Sequence, residues 1–497
     1  MKLLETNFKI EESTIRQIHK AMKKGHITCR QLVADYLKRI EAFDKHGPAL
    51  NSIITINPAA INQADELDRR FESEGLTGPL HGIPILLKDN IETTDMATTG
   101  GSASLAGFTP GNDAFITRKL REAGAIILAK ANLHEFAIWG ETISSIAGQT
   151  LNPYDLSRTP GGSSGGTGCG IAANLAAVGI GTDTVNSVRS PASANCLVGL
   201  RPTLGLVSRS GIIPYSLTQD TAGPITRTVS DAAILLGVIA GYDPADEKTA
   251  WSIGHVPNSY TKSLEKKGLK NKRIGIMQSY WGTGEVHQEV NAVMKDSLAV
   301  LQDRGAALIE LDACFDIGVI INEVSVHLYE LERDLDGYLH SLGDRAPIHS
   351  LKEILASGKY HPGIEDNLKK AVTLSTTRVT YKDRLLKQAG LRDRLMKLMA
   401  DYNLDAIVYP HQKRLVAKVG ASQDERNGAL AAVTGFPAIT LPAGFSKPAA
   451  ESPAGVPIGI EFLSRPWSEP TLLAIAYAFE QAAGIRKAPY STPPLAD

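Results

Sequence analysis

The chain has 497 residues, of which 43% are hydrophobic and 21% are charged, and its formal net charge is −1. It can bury a sizeable core, and its charge provides no overall field that favours nucleic acid or an anionic membrane. The longest apolar runs, 169–181 and 232–241, are too short to span a membrane, and the initial segment MKLLETNFKIEES lacks the apolar stretch of a signal peptide. We therefore expect a cytoplasmic protein that binds neither nucleic acid nor membranes.

The N-terminal region, 1–70, is predicted to be helical. Apolar residues at helical spacing between residues 11 and 43 indicate two amphipathic helices that are broken near Gly25. The stretch 319–398 is also helical in pattern, but it is charged and poor in strand-like runs. We interpret it as a helical insertion that packs against the sheet, within a single domain, 1–497.

Short hydrophobic runs alternate with helical patterns along the remaining chain. The helical patterns include 114–124 and 471–484. The predicted strands are 83–87, 125–129, 176–181, 273–277, 306–311, 406–410, 438–443 and 458–463. This alternation favours an α/β fold whose central β-sheet is covered by helices on both faces.

The four cysteines provide little sign of a disulfide framework or a metal site. Cys29, Cys169, Cys196 and Cys314 are scattered, with no CxxC spacing and no neighbouring pair of histidines. We expect buried free thiols, and we expect no metal and no cofactor.

The segment GGSSGG, 161–166, has three possible interpretations. A flexible linker is expected at a break in composition, whereas this segment lies between Thr159-Pro160 and a small-residue helical run. A phosphate-binding loop would end in GKS or GKT, which is absent here. The glycines suit a turn in which serines are held by closely packed backbone.

Two other segments place polar residues after strand-like runs. Gly, Thr, Asp and Asn precede Ser187 in 179–203, in the place where catalytic groups gather in α/β sheets, although an isolated serine there is more often a helix cap. Lys88 directly follows the hydrophobic run 83–87, from which a single lysine ordinarily reaches solvent. Lys88 could act as a base only if burial without a nearby carboxylate kept it neutral.

Taken together, these segments resemble the amidase signature family. Lys88, Ser163 in GGSSGG and Ser187 in GTDTVNS follow one another in that family's order, and the two serines have its spacing. The resemblance continues through LVGLRPTLGLVSRSGIIP and QDTAGPITRTVSDAA to the C-terminal segments TGFPAITLPAG and GVPIGIEFL. It covers most of the chain and implies the amidase signature fold, with a mixed, largely central sheet.

The resemblance also implies a mechanism. Ser187 would be the acylated nucleophile, Ser163 would relay its proton, and neutral Lys88 would be the base, with no histidine required. In the family, the peptide bond that precedes the residue corresponding to Ser163 is cis.

The oxyanion hole of the family is formed by backbone N–H groups just before the nucleophile. The corresponding residues here are Thr184, Val185, Asn186 and Ser187. Val185-Asn186 stands where the best-known members have Gly-Gly. Neither residue is proline, so both N–H donors remain available.

Further residues are predicted around this site. We favour a structural ion pair for Asp183 and Arg189 over direct contact with substrate. The predicted substrate-binding residues are Trp139, Thr142, Ile143 and Ser144 in the loop 135–146, and Gln219, Asp220 and Thr221 at the edge of the pocket. Trp139 and Ile143 could be core residues instead.

We expect an amidase that acts without partner chains on small-molecule amides, with esters, anilides and carbamates as further possible substrates. The segment IIPYSLTQDTAGPITRTVSDAA and the C-terminal SRPWSEPTLLAIAYAFEQ resemble peptide-amidase-type members most. A monomer or a homodimer is expected. One alternative is the glutaminase component of a tRNA-dependent amidotransferase, and another is a catalytically silent binding protein.

Overall fold

The computed structural model describes residues 8–495. Residues 1–7 belong to the predicted N-terminal helical region and to the initial segment MKLLETNFKIEES, and they lie outside the described residues. The strands in the described part are β1 (Ile53–Ile56), β2 (Pro84–Lys88), β3 (Ile126–Ala131), β4 (Ile143–Ser144), β5 (Gly148–Gln149), β6 (Val178–Asp183), β7 (Val198–Arg201), β8 (Thr221–Thr226), β9 (Arg273–Ile276), β10 (Ala307–Glu310), β11 (Ala406–Pro410), β12 (Ala438–Phe445) and β13 (Pro457–Leu463). The α-helices are α1 (Ile15–Lys23), α2 (Cys29–Arg39), α3 (Ala60–Glu74), α4 (Phe115–Glu122), α5 (Gly165–Ala172), α6 (Arg189–Ala194), α7 (Val229–Ile239), α8 (Gln288–Asp303), α9 (Ile317–Val319), α10 (His327–Ser341), α11 (Leu351–Ser357), α12 (Glu365–Thr373), α13 (Val379–Asp401), α14 (Ala429–Thr434) and α15 (Glu469–Ala483).

Most of the strands form one mixed sheet in the order β1-β3-β2-β6-β8-β7-β12-β13-β11-β9-β10, and β4 pairs with β5 as a separate hairpin. The strand β2 is parallel to both of its neighbours, and so is β9, whereas the strands from β6 to β11 pair antiparallel. Helices cover the sheet, which confirms the predicted α/β fold. The parallel register of β2 and β6 matters for function, because both strands end in polar residues at the same edge.

All eight predicted strands are present in the sheet, within a few residues of their predicted bounds. The strands β1, β7 and β8 of this sheet were not predicted, and neither were β4 and β5 of the hairpin. The strand β8 is buried along its whole length between β6 and β7, although it contains Gly223 and Pro224. Gly223 is required there because a Cβ on it would lie 2.0 Å from the carbonyl oxygen of Leu200 in β7.

The predicted pair of N-terminal helices corresponds to α1 and α2. Thr14 caps α1 through a bond from the Gln17 backbone N–H, and the Gln17 side chain accepts from the Thr14 backbone N–H in return. Thr28 is the N-cap of α2, and its side chain accepts a hydrogen bond from the Gln31 backbone N–H. The break between the helices is at Gly25, whose φ of +72° suits glycine.

The segment 319–398 contributes α10, α11, α12 and most of α13, and the described residues in it form no strand. The helix α13 packs on one end of the sheet through Leu391, Leu395 and Met399. The other three helices form a separate apolar cluster with loop residues, among them Phe136 and Tyr215, instead of packing on the sheet. This differs from the expected packing, because the apolar faces of these helices meet loops at the sheet edge.

The cysteines are buried at positions 29, 169 and 196, as predicted, but Cys314 is exposed because it follows the outer strand β10.

Among the helices of residues 8–495, we find none that is long and apolar enough to cross a bilayer.

Candidate active site

Lys88 is the last residue of β2 and has no exposed surface. Its Nζ donates hydrogen bonds to Ser163 Oγ at 2.7 Å and to Thr182 Oγ1 at 2.8 Å. No carboxylate of the described chain forms an ion pair with it. Burial lowers the pKa of Lys88 to about 7, against the opposing effect of Asp183 and Asp220. A substantial fraction of Lys88 is therefore neutral near pH 7.

Ser163 lies in a tightly packed turn, and the Gly162–Ser163 peptide bond is cis. The Thr142 hydroxyl donates to the carbonyl oxygen of Gly161 at 2.7 Å and accepts from the Gly165 N–H at 3.1 Å. A Cβ on Gly162 would lie 2.7 Å from that same hydroxyl oxygen, so only glycine fits. The segment GGSSGG is therefore a buried turn that presents Ser163 to Lys88, and neither a linker nor a phosphate-binding loop.

Ser187 lies in the turn between β6 and α6, and its carbonyl oxygen accepts a hydrogen bond from Ser164 N–H at 3.2 Å. The side chain of Ser187 makes no hydrogen bond to any described residue, and 6% of the residue remains exposed. In particular, no hydrogen bond joins its hydroxyl to that of Ser163 within residues 8–495. The two serine-bearing turns are in contact, and the Ser187 hydroxyl is free to meet a ligand.

The backbone around Ser187 leaves several donors unused. The N–H groups of Val185, Asn186 and Ser187 donate to no acceptor in the described part of the chain. The next N–H, that of Val188, is bonded to the Asp183 carboxylate at 3.0 Å. The side chain of Val185 packs on the apolar cluster beside α13. The turn can therefore bind a negatively charged oxygen.

The Ser187 turn is supported by a buried ionic network. Arg189 binds Asp183 at 3.1 Å and also Glu461 of β13, and Arg201 binds Asp183 at 2.9 Å. Burial alone would raise the pKa of Glu461, but the charge of Arg189 and the hydrogen bonds from His411 and Tyr409 outweigh it and lower this pKa to about 2. The ion pair predicted between Asp183 and Arg189 is present, as part of this wider network.

The predicted pocket-edge residues lie beside this turn. Gln219 donates to the Thr184 carbonyl oxygen at 3.2 Å, and its own side-chain oxygen accepts from Ser325 at 2.8 Å. Asp220 accepts from the Thr184 hydroxyl at 2.6 Å. Asp220 and Thr221 line a narrow cavity together with Asn90, Thr182 and Thr184, whereas Gln219 lies behind it.

The predicted substrate-binding residues of the loop 135–146 differ in how far they are buried. Trp139 is 44% exposed and is not a core residue. Ile143 is half-buried in the hairpin, and Ser144 is buried and bonded to Asn132 at 2.8 Å. Thr142 is fully buried behind the Ser163 turn, which it braces. Of these four residues, Trp139 and Ile143 are therefore the ones whose side chains are exposed enough to contact a ligand.

The sequence profile of the amidase family matches residues 31–473, which is most of the chain. The chain belongs to the amidase family. It is a hydrolase that acts on the carbon–nitrogen bonds of amides.

Relatives of this amidase match it along nearly its whole length. A probable amidase of Arabidopsis thaliana is 37% identical, with 98% of this chain and 93% of that protein aligned. A glutamyl-tRNA(Gln) amidotransferase component from Thermoanaerobacter pseudethanolicus is 33% identical over 94% of this chain and 96% of that one. Among solved structures, the peptide amidase of Stenotrophomonas maltophilia superposes with a TM-score of 0.88 and 36% identity, covering 97% of this chain and 99% of that chain.

Two contributors to the amidase site were not predicted from the sequence. Thr182 is a second partner of Lys88, and the parallel pairing of β2 with β6 would have indicated it. His134 donates its backbone N–H to the Ser163 carbonyl oxygen at 3.0 Å. Burial lowers the pKa of the His134 imidazole to about 3, so this side chain is neutral at pH 7. No sequence pattern distinguished it from other histidines.

Replacing Arg189 with methionine is expected to lower the free energy of unfolding of the amidase by about 3–5 kcal/mol, because Asp183 and Glu461 lose a buried counter-charge. Urea unfolding followed by fluorescence measures the change. The control is Arg30→Met, which breaks the exposed pair with Asp65 and should change stability by less than about 1 kcal/mol. Equal effects of the two substitutions would contradict the supporting role of Arg189.

Proposed function

We propose that this amidase works through an acyl-enzyme on Ser187, with Ser163 as proton relay and Lys88 as base. The observation that carries the proposal is a fully buried lysine with a lowered pKa, bonded to Ser163 at 2.7 Å and without a carboxylate partner in the described chain. A lysine must be neutral to accept a proton, and this environment favours the neutral form. The free Ser187 hydroxyl beside it supports the assignment of the nucleophile.

In the proposed acylation step, Ser187 Oγ forms a bond to the substrate carbonyl carbon. The Ser187 proton passes to Ser163 Oγ while the Ser163 proton passes to Lys88 Nζ. The relay requires the two serine hydroxyls to approach when substrate binds, as catalytic hydrogen bonds commonly shorten in the substrate complex. The carbon–nitrogen bond then breaks, and the amine leaves with the proton returned through the same relay. Water then attacks the ester carbonyl on Ser187 while its proton passes to Ser163 Oγ and the Ser163 proton passes to Lys88 Nζ. The bond between the carbonyl carbon and Ser187 Oγ breaks, the relay returns the proton to Ser187 Oγ, and the acid is released.

The developing negative charge on the carbonyl oxygen is stabilised by the N–H groups of the turn before Ser187. Those of Val185, Asn186 and Ser187 are free of acceptors in the described chain, and Thr184 begins the same turn. Each such donor is typically worth about 3 kcal/mol of transition-state stabilisation. Val185-Asn186 therefore serves in place of Gly-Gly, since the backbone supplies the donors.

We further propose that the substrates are small carboxylic amides beyond free glutamine, and that the amidase acts in the cytoplasm without partner chains, as a monomer or homodimer. The likeness to a peptide amidase over nearly the whole chain supports this substrate class. Trp139, Ile143, Asp220 and Thr221 are proposed to border the substrate, with Thr142, Ser144 and Gln219 supporting the site from behind. The mechanism employs no metal and no organic cofactor.

A substrate panel tests this proposal. We expect the purified chain alone to hydrolyse peptide amides and aryl amides faster than glutamine, with rates unchanged by a metal chelator. Anilides, esters and carbamates in the same panel define the range of leaving groups. Hydrolysis of glutamine only, and only with the other amidotransferase chains added, would instead identify a glutaminase component. No turnover and no labelling of Ser187 by a fluorophosphonate would identify a silent binding protein.

A further inference from the structure

Asn90 has a buried side-chain oxygen that no group of the described chain satisfies. The residue is 2% exposed, and its Oδ1 accepts no hydrogen bond within residues 8–495. Its Nδ2 donates to Thr182 Oγ1 at 3.1 Å and to the Ile213 carbonyl oxygen at 3.4 Å, so two acceptors fix the orientation of the amide. A buried acceptor without a partner is unfavourable, so it indicates a bound molecule that donates to it.

The cavity that Asn90 lines has the size of one water molecule. Its volume is about 10 Å³, which is room for a single water, and Thr182 and Asp220 line it as well. An amide oxygen and a carboxylate favour a molecule that donates hydrogen bonds. A cation is disfavoured, because Lys88 is partly protonated nearby and Arg209 borders the cavity. A water molecule fits both the volume and the polarity of this cavity.

The hydroxyl of Thr182 connects Asn90 to Lys88. Its oxygen accepts from Lys88 Nζ at 2.8 Å and from Asn90 Nδ2 at 3.1 Å. A hydroxyl oxygen has two lone pairs, so both are used and its own hydrogen points in a third direction. No acceptor in the described part of the chain receives that hydrogen. Because Thr182 lines the same cavity, a water molecule there accepts from Thr182 and donates to Asn90 Oδ1.

This arrangement leaves the lone pair of neutral Lys88 to Ser163. A Thr182 hydroxyl that donates to water does not donate to Lys88 Nζ. Ser163, at 2.7 Å, is then the one hydroxyl donor left to Nζ among residues 8–495. Asn90 also turns a partly positive N–H hydrogen toward the oxygen that Nζ contacts, which disfavours the protonated lysine. Both effects keep Lys88 neutral and directed at Ser163.

The titratable side chains around Lys88 lie at the end of β2 and on the segments beside it, and they are Asp89, Lys130, His134, Asp183 and Asp220. Asp183 is paired with two arginines, and Lys130 lies 3.4 Å from Asp89. Burial keeps the His134 imidazole uncharged at pH 7. Asn90 is uncharged and belongs to none of these pairs. Replacing it therefore changes the surroundings of Lys88 without breaking an ion pair.

We propose that Asn90 is a positioning residue of the base, which binds a water molecule in this cavity and holds the Thr182 hydroxyl as an acceptor for Lys88 Nζ. In this role Asn90 touches neither the substrate nor the nucleophile, and it acts on the reaction through Lys88. The inference rests on the proposed function, in which neutral Lys88 accepts the proton of Ser163.

The first experiment measures kcat and KM of Asn90→Leu from acid to alkaline pH. This substitution removes the donor and the acceptor at similar volume, while the Asn90 backbone still accepts from the Ile213 N–H at 2.8 Å. We expect kcat at pH 7 to fall about 10-fold or more with KM within about twofold, because the base is no longer held in place. The acid limb of kcat/KM should move to higher pH, since protonated Lys88 becomes more favourable.

Asn90→Asp is the second variant, and it is isosteric. Its carboxylate would lie within about 6 Å of Lys88 Nζ, because both groups contact Thr182 Oγ1. A negative charge at that distance favours protonated Lys88, so the acid limb should move up by about 1–3 pH units. The control Asn291→Leu removes another amide whose Oδ1 has no partner in the described chain, but on α8. It should leave the profile unchanged.

A double-mutant cycle tests whether Asn90 acts through Lys88. In the Lys88→Met background, Asn90→Leu should change kcat/KM by less than about twofold, because the group that it positions is gone. A crystal structure of the wild type should show an ordered water about 3 Å from both Asn90 Oδ1 and Thr182 Oγ1. Absence of that water, or an acid limb that stays in place in both Asn90 variants, would overturn the inference. So would an equal effect of Asn90→Leu in the two backgrounds.

The same profiles separate this inference from the proposed function. An acid limb that is lost in Lys88→Met but unchanged in the Asn90 variants contradicts only the role of Asn90. An acid limb that survives in Lys88→Met at near-normal rate contradicts Lys88 as the base, and the proposed function with it.

Discussion

Replacement of Ser187 by alanine is expected to lower kcat/KM by about 10⁴-fold or more and to abolish covalent labelling. The reason is that the proposed acyl-enzyme forms on Ser187, and loss of a nucleophile removes the contribution of the whole catalytic group. The fold should persist, because the Ser187 hydroxyl makes no hydrogen bond to any described residue and its removal leaves no buried partner unsatisfied. Intact-protein mass spectrometry after reaction with a fluorophosphonate measures the labelling, and thermal unfolding measures the fold.

Ser190→Ala provides the matched control for this substitution. Ser190 lies in the same turn-to-helix segment, is buried, and has a hydroxyl without a hydrogen-bond partner in the described residues. Its replacement should leave both labelling and turnover close to those of the wild type. Normal turnover by Ser187→Ala, or labelling at another residue, would refute Ser187 as nucleophile.

Replacement of Lys88 by methionine is expected to lower kcat/KM by about 10²–10⁴-fold, which is the usual contribution of a positioned general base. Methionine retains most of the buried apolar stem, so loss of packing should be small. The substitution removes the hydrogen bonds to Ser163 and Thr182 and leaves the relay without an acceptor for the proton. Steady-state kinetics at pH 8 measure the effect, and slow fluorophosphonate labelling should persist because Ser187 is unchanged. A loss of less than about tenfold would contradict the assignment of the base.

Much of the fold follows from hydrophobic patterning alone. The apolar runs that predicted β2, β3 and β6 are buried strands in the centre of a helix-covered sheet. The strand β8 could not be predicted in this way, because Gly223 and Pro224 argue against a central strand. Glycine is favoured there by the close approach of Leu200, which depends on tertiary structure.

The candidate site was predictable only in part. The residues by themselves left Lys88, Ser163 and Ser187 as separate segments, and the resemblance to a family brought them together. The contact between Lys88 and Ser163 joins residues 75 positions apart, so only the tertiary structure reveals it. Burial of Thr142 behind the Ser163 turn depends on its contacts with Gly161 and Gly165, which no local sequence pattern indicates.

The pH dependence of kcat/KM is the most direct test of Lys88 as a neutral base. An ordinary lysine titrates near 10.5, whereas burial lowers the pKa of Lys88 to about 7. Protonated Lys88 cannot accept a proton, so activity should be low at acid pH, rise through about pH 7 and level off above it. Asp220 also lies in the cavity, and burial raises its pKa to about 6, so a second group could produce a similar rise.

Comparison of wild type with Lys88→Met distinguishes these two groups. We expect the rise near pH 7 to be present in the wild type and absent from Lys88→Met, whose residual rate should instead increase with hydroxide concentration. The profile should be unchanged by a metal chelator. A rise near pH 7 that survives in Lys88→Met at near-normal rate would assign the proton transfer to another group, such as Asp220, and would contradict the proposed relay.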